Sequence, residues 1–503
     1  MKLLASMGGL RFALKRAQTT FKLLFRSKMA IVGVIILAAF IFMAVASPIL
    51  TPYDPKIQVS GRLAQPEWVM NFPDGYYLSK NLVVPTSGAI TSPASIQAWT
   101  LSASPSTLAN LQTSYVPGVT APATASKGSI RLAYSGDGPG TFSLSETFQF
   151  PYHGPPDRFI ARMEYLLEGV NRTTPVWVRV FIERSQQPAP QTYYLLSEND
   201  TVSGSWFGTG DPLNTQYGPF ITSLDTSLGL PTQIGPQKII FSADTSYTYG
   251  ILVTFFGHQS ISIDDLQMQL DGTAWGLLGT DNQGLDVYSQ TVYGSRISLF
   301  VGLLSAGIGI GLGLVIGLLA GFLGRLVDEA LMRFTDMMLV IPGLPLLIVL
   351  ISVLGANIWN VIIIIGFLGW MGFARIVRSQ VLTLRERPFV EAAKASGAGP
   401  GRIMTKHIFP NIVSLTYVNL ALSVPGAILT EAALAFLGLT DPSTVSWGRM
   451  FEQVFESGNV AHFPPVWWWV LPPGFGIALV SLSFVLVGYA LDEVFNPRLR
   501  RRR

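Results

Sequence analysis

The chain has 503 residues, of which 49% are apolar and only 13% charged, with no cysteine and a formal net charge of +4. Its mean hydropathy is positive, which excludes an ordinary water-soluble enzyme and puts much of the chain in lipid. So small a net charge also argues against nucleic acid as a partner, and the basic residues read better as signals of membrane topology.

A bilayer core of about 30 Å takes about twenty apolar residues per helix, and six runs approach or exceed that length. They are Met29 to Leu50, Ile297 to Phe322, Ala330 to Leu354, Ile358 to Ala374, Val413 to Leu439 and Val466 to Leu491. The first is preceded by Lys2, Arg11, Lys15, Arg16, Lys22, Arg26 and Lys28, with no acidic residue before Asp54, so the amino terminus is expected in the cytoplasm. Ala44-Val45-Ala46 has the small residues of a signal-peptide cleavage site. The apolar run and its basic flank are longer than a signal peptide needs, so the helix is expected to be retained.

After the first run comes a polar segment from Pro52 to about Trp275, long enough for a domain with its own core. The topology puts it outside the cell, together with the residues up to about position 290. Up to roughly Gly140 it is rich in Ser, Thr, Ala, Pro and Gly and offers few periodic segments. Beyond that it reads as strands. Val176, Val178, Val180 and Ile182 alternate with Trp177, Arg179, Phe181 and Glu183, the period of a pleated sheet with two unlike faces. Tyr249 to Phe256 and Ile261 to Leu270 make two more runs, and a shift of apolar phase around Asp264-Asp265 predicts a β-bulge. The expected insert is a β-sandwich whose closing strands resemble jelly-roll carbohydrate-binding modules.

Without cysteine this domain has no disulfides. His153, His258, His407 and His462 are scattered, so no metal site is expected. Asn171-Arg172-Thr173 and Asn199-Asp200-Thr201 have the glycosylation sequon. Trp177, Tyr193, Tyr194 and Trp206 are open to two readings, core residues or a stacking platform for sugar or peptide. There is no Gly-x-Ser-x-Gly elbow or cysteine nucleophile, and adjacent Asp264 and Asp265 point to opposite sheet faces, so catalysis is not expected.

In the second span Gly309, Gly313, Gly317 and Gly321 recur every fourth residue, which lets another helix approach closely. It serves either packing inside the chain or a sliding or dimer surface. The third span contains Pro342 and Pro345, which kink or split it. The fifth contains Pro425-Gly426, a bend signal, and then Glu431 among apolar residues. A carboxylate at that depth is costly unless paired or wet. Two readings stay open, a lining position on a pathway for a cationic substrate group and a hydrogen-bonded link to a neighbouring helix. Trp467-Trp468-Trp469 at the start of the sixth span read as an interfacial anchor.

Between the fourth and fifth spans lies RERPFVEAAKASGAGPGRIMTKHIFP, residues Arg385 to Pro410. Charge bias puts it in the cytoplasm, as it does Arg325, Arg498 and Arg500 to Arg503. Glu391 to Ser396 can form a short helix, Gly397 and Gly399 a sharp turn, and Ile403 to Phe409 a second short helix, with Pro410 opening the fifth span. The chain has no Gly-x-x-x-x-Gly-Lys-Ser/Thr phosphate loop, so any ATP is hydrolysed by another polypeptide.

Glu391-Ala392-Ala393, Gly397 and Pro410 match the spacing of the EAA signature, and on these residues the chain resembles membrane subunits of binding-protein-dependent ABC importers. Leu278-Gly279-Thr280-Asp281, Gly284, Asp286, Ser289, Gly294-Ser295-Arg296 and Ser298-Leu299 resemble the segment entering the second helix of dipeptide and oligopeptide permeases. Pro52-Tyr53-Asp54-Pro55, Phe436-Leu437-Gly438-Leu439, Ser446-Trp447-Gly448 and Asn496-Pro497-Arg498 are similar to the C-type subunit of that family. Leu285 and Gln290 stand where the family commonly has arginine, Phe409 replaces a leucine, and the polar insert has no counterpart.

The resemblance implies a six-helix, type I importer permease fold carrying an inserted, mainly β domain. The expected divisions are 1–51, with the basic terminus and first helix, 52–275, the insert, β-rich from about 140, and 276–503, the permease core. It implies a multi-pass subunit of the cell membrane, not itself catalytic, that works with a second permease, two ATPases binding ATP and magnesium, and an extracellular solute-binding protein. Glu391, Ala392, Ala393, Gly397, Ile408 and Pro410 are the implied ATPase-coupling residues. Peptides are the implied solute, with oligosaccharides as the alternative. A membrane-anchored adhesion protein and a membrane-bound hydrolase are the competing classes: six spans exceed what an anchor needs, and no catalytic constellation supports the second.

Overall fold

The structure, a computed structural model, describes residues 27–85, 89–122, 124–185, 190–208, 213–215, 235–459 and 466–495. Lys2 to Arg26, His462 and the closing arginines from Arg498 lie outside the described residues. The chain divides into two compact units, Gln58–Asp286 and a second formed by Met1–Ile57 with Val287–Arg503.

The first unit is a β-sandwich. Its strands are β1 (Leu82–Val84), β2 (Thr100–Ala103), β3 (Leu111–Pro117), β4 (Gly128–Tyr134), β5 (Gly140–Phe150), β6 (Arg158–Glu168), β7 (Val176–Arg184), β8 (Gln191–Asp200), β9 (Trp206–Gly208), β10 (Thr245–Phe255) and β11 (Gln259–Asp271). One sheet runs β3-β4-β11-β6-β9 with β1 also on β11, and the other runs β2-β5-β10-β7-β8. These strands pair antiparallel. Val176, Val178, Val180 and Ile182 from β7 meet Phe159, Met163 and Leu167 from β6 in a single core, so the predicted period of two is the period of burial. The predicted bulge is present: pairing of β11 with β6 shifts between Asp264 and Gln267, and Asp265 has a φ of 50°. The buried Asp264 carboxylate accepts hydrogen bonds from the Ala121 amide and the Thr124 hydroxyl, each at 2.9 Å, which holds a loop against the bulge. Strands begin earlier than residue 140, however. β1 to β4 come from the Ser/Thr-rich stretch whose polar outer positions hide the alternation.

The second unit is helical. Among the described residues, five helices or helical runs are long and apolar enough to cross a membrane, and a bent pair makes a sixth candidate. The candidates are α1 (Lys28–Val45), α2 (Val287–Phe322), the bent pair α3 (Arg325–Val340) and α4 (Gly343–Leu354), the run of α5 (Ile358–Leu368) with α6 (Met371–Arg385), the run of α8 (Pro400–Ile403) into α9 (Phe409–Phe436), and α11 (Trp467–Phe495); α7 (Pro388–Ala395) and α10 (Trp447–Glu456) are short helices between them. The third expected span is thus split at Pro342, where α3 and α4 meet at 88°. A proline gives no amide and crowds the preceding turn. By contrast α9 runs through Pro425 unbroken.

The glycine stripe faces inward. A Cβ on Gly313 would lie 2.7 Å from the Trp370 carbonyl oxygen, and one on Gly317 2.6 Å from that of Ala374. A Cβ on Gly309 or Gly321 would crowd Gly366 and Val381 in the same way. The stripe therefore packs α2 against α5 and α6 within the chain, backbone to backbone.

Candidate coupling loop and translocation cavity

Helix α7 begins where Pro388 occupies its first turn, a place that needs no amide. Glu391 lies in the first turn and Lys394 in the last, so both charges suit the helix dipole. The end is set by Gly397, whose φ of 78° costs an L-residue with a Cβ dearly. The Ala398 amide reaches back to the Ala393 carbonyl at 3.1 Å, and the Gly397 amide to Lys394 at 2.9 Å, closing the helix as a Schellman-type turn. Val390 is fully buried in a core with Val377, Val381, Ile403, Ile408 and Ile412. Glu391, Ala392, Gly397 and Pro410 are exposed, Ala393 is half-buried and Ile408 is fully buried. Of the sequence-predicted coupling residues, Ile408 therefore anchors the loop, Ala393 packs partly against the same core and the others face outward. Glu391 makes no ion pair among the described residues.

The second short helix expected at Ile403 to Phe409 is not separate. Residues Pro400 to Phe436 form one helical run, with a wide turn over Met404–Ile408 in which the Phe409 amide bonds back to the Met404 carbonyl. Pro410 has no amide to donate and crowds the turn before it, and the backbone widens there without breaking. A push on the α7 turn thus meets α9 with no intervening loop.

A cavity of about 560 Å³ opens between α2, α4, α5 and α9. Its walls include Ser305 and Gly309 of α2, Gly343 and Leu347 of α4, Leu368 of α5, and Ser423, Gly426 and Thr430 of α9. No charged side chain lines it. Two of its lining hydroxyls are turned onto backbone: Ser305 donates to the Ile362 carbonyl at 3.1 Å and Thr430 to that of Gly426 at 2.7 Å. Glu431 is not among the lining residues. It is only 2% exposed and lies beside the Ser446 side chain, with its Oε2 buried and without a hydrogen-bond partner among the described residues. The Ser446 hydroxyl in turn caps α10 by accepting from the Arg449 amide at 3.2 Å. Glu431 thus lies off the cavity wall and beside the start of α10. The lining face of α9 follows small residues at Ser423, the pair Gly426-Ala427, Thr430 and Ala433, at helical spacing. That spacing was the signal available in the sequence, and the lone carboxylate drew attention from it.

Elsewhere the predicted residues divide. Trp177 and Tyr194 are 41% and 45% exposed, whereas Tyr193 is buried. The guanidinium of Arg179 lies 5.3 Å from the Trp177 ring and 5.4 Å from the Tyr194 ring, forming an exposed aromatic and cationic patch on β7 and β8. In the tryptophan run Trp468 and Trp469 are buried within the helical unit and Trp467 is half-buried. Asn171 and Asn199 are both exposed. Among the described residues no cluster of three or more His, Asp or Glu could hold a metal.

Residues 313–501 match the model of the binding-protein-dependent transport system inner membrane component, and residues 16–66 that of the N-terminal transmembrane domain of oligopeptide transport permease C. A putative peptide permease protein of Brucella suis is 36% identical over 236 residues, covering 46% of this chain and 77% of the relative. A dipeptide transport system permease protein of Bacillus subtilis is 35% identical over 257 residues, covering 51% and 79%. Among solved structures, the inward-facing MetNI methionine ABC transporter covers 41% of this chain and 95% of its own at 18% identity, TM-score 0.34. The carbohydrate-binding module TmCBM61 bound to β-1,4-galactotriose covers 37% of this chain and 99% of its own at 10% identity, TM-score 0.23. By its sequence relatives, this chain belongs to the binding-protein-dependent ABC transporter permeases of the oligopeptide and dipeptide C type, as a non-catalytic, multi-pass membrane subunit.

Proposed function

We propose that the chain forms half of the translocation pathway of an ATP-driven peptide importer and receives the force of ATP binding through residues Pro388 to Gly399. The observation that carries this is α7 itself, a helix anchored by one buried residue, Val390, with Glu391 and Ala392 exposed and a run of helix leading straight to the cavity wall. A short exposed helix of this kind fits a groove on a soluble partner. Two ATPase subunits, which bind ATP and magnesium, serve as that partner. A second permease completes the pathway and an external solute-binding protein delivers the solute. The basic flanks put both termini and α7 in the cytoplasm and the β domain outside.

The peptide assignment follows the names of the relatives and suits an uncharged cavity, since pockets for small ligands commonly occupy about 300–1,000 Å³. Oligosaccharide import is the second reading, favoured by the exposed Trp177 and Tyr194 rings, whose faces suit stacking against a sugar. Mass spectrometry of the solute retained by the co-purified binding protein separates the two. Peptide masses support the first reading, and hexose-spaced masses replace it by the second. For the coupling role, Glu391→Lys is expected to abolish solute uptake while membrane insertion stays normal. Unchanged uptake would remove α7 from the coupling path.

A further inference from the structure

Helix α3 contributes nothing to the cavity wall, yet it is fastened along α6 at three points. Arg378 grips the Asp328 carboxylate with two nitrogens, one of them at 2.7 Å, and this pair is partly buried, with Asp328 only 18% exposed. Arg375 pairs with Asp336. The Phe334 ring stacks on Trp370, with centroids 6.2 Å apart and planes 16° from parallel. A two-pronged guanidinium–carboxylate contact fixes orientation as well as distance, and three contacts along one helix leave it little freedom to roll. At one end α6 packs Val377 and Val381 against Val390 of α7. At the other end of α3 the chain turns by 88° into α4, which lines the cavity through Gly343, Leu344 and Leu347.

We infer that α6 and α3 act as one rigid strut, with Asp328–Arg378 as its fastening, carrying the movement of α7 to the α4 wall of the cavity while α9 carries it to the opposite wall. This rests on the coupling role proposed for α7. Both walls must shift together if the cavity is to open on one side and close on the other, and the buried core that holds α7 includes no residue of α4. Asp328 and Arg378 are thus positioning residues that act through α3.

The test uses the full chain assembled with its ATPases and partner permease. Asp328→Asn is expected to lower solute uptake about tenfold, the scale of coupling changes along such networks, while ATP hydrolysis stays near its original rate, because α7 still docks. The exchanged pair Asp328→Arg with Arg378→Asp is expected to restore most of the uptake, which a merely destabilised protein would not do. Since the chain has no cysteine, Asp328→Cys with Arg378→Cys can be bridged by a short bis-thiol reagent. A strut that stays rigid through the cycle predicts that bridging rescues uptake in this double variant. Full uptake by Asp328→Asn, failure of the exchanged pair in an assembled complex, or arrest of transport by the bridge would each overturn the strut. None of these outcomes touches the docking of α7, which Glu391→Lys tests separately.

Discussion

The two units solve the same packing problem with opposite residues. In the β-sandwich, large side chains meet in the middle: Tyr247, Tyr249, Ile251, Val253 and Phe255 of β10 are all fully buried, and removing their area from water supplies the driving force. In the helical unit a close contact, α2 against α5 and α6, is made by glycines with backbone on the other side. Lipid tails are as apolar as leucine, so burying leucine there gains little, and close approach of backbones does the work that apolar area does in water. The difference teaches that a small residue in the membrane unit is as sensitive to change as a large one in the sandwich.

The largest effect is therefore expected from enlarging a glycine. Gly317→Leu drives a side chain into the Ala374 carbonyl and Val377, and we expect a loss of about 3 kcal/mol or more in the helical unit, at the upper end for overpacking. It is read as loss of the assembled subunit from detergent extracts, with a fragment spanning 58–286 unaffected. Truncation is the corresponding change in the sandwich. Phe255→Ala is expected to cost about 3–5 kcal/mol, measured by urea unfolding of the same fragment. If that fragment does not fold in water, the two cores are not independent and the comparison breaks.

The smallest effect is a pH dependence confined to the sandwich. Burial raises the pKa of Asp157 above the ordinary aspartate range, against a hydrogen bond donated by the Arg62 backbone amide, and burial likewise raises Glu146, Glu164 and Asp265. Such groups hold protons in the folded state at a pH where the unfolded chain has lost them. Stability then falls as pH rises through the gap between the unfolded and folded values, and is recovered below it. The fragment is expected to melt slightly higher at about pH 5 than at about pH 7. A lower melting point at pH 5 would mean that the ion pairs, such as Arg158 with Asp271, outweigh these carboxyls.

How much of this was legible in the sequence depended on which physical rule wrote the signal. The bulge at Asp264-Asp265 was visible because one strand buries alternate residues, and an extra residue must then shift the phase. The break at Pro342 was visible because proline lacks an amide. Strands β1 to β4 were not, since their outer positions carry Ser and Thr that also fill loops. The exposed Trp177 and buried Tyr193 could not be told apart by composition, because a strand's face is fixed only once its partners are known. The orientation of Glu431 away from the cavity and toward Ser446 was also hidden, since depth in a helix reveals burial but not the neighbour. The wide turn at Met404–Ile408 arises from Pro410 acting on a helix whose continuity the sequence did not declare.

The most direct test of the central claim, that α7 is where ATPase force enters this subunit, is a crosslink from its exposed face. Ala392→Cys adds the only thiol to a chain that has none, and a thiol-to-amine crosslinker is then applied to transport-competent membranes containing the ATPases. The account predicts a covalent product of this subunit with an ATPase subunit, reduced when Glu391→Lys is added. A complex that transports solute and yields no such product would contradict it.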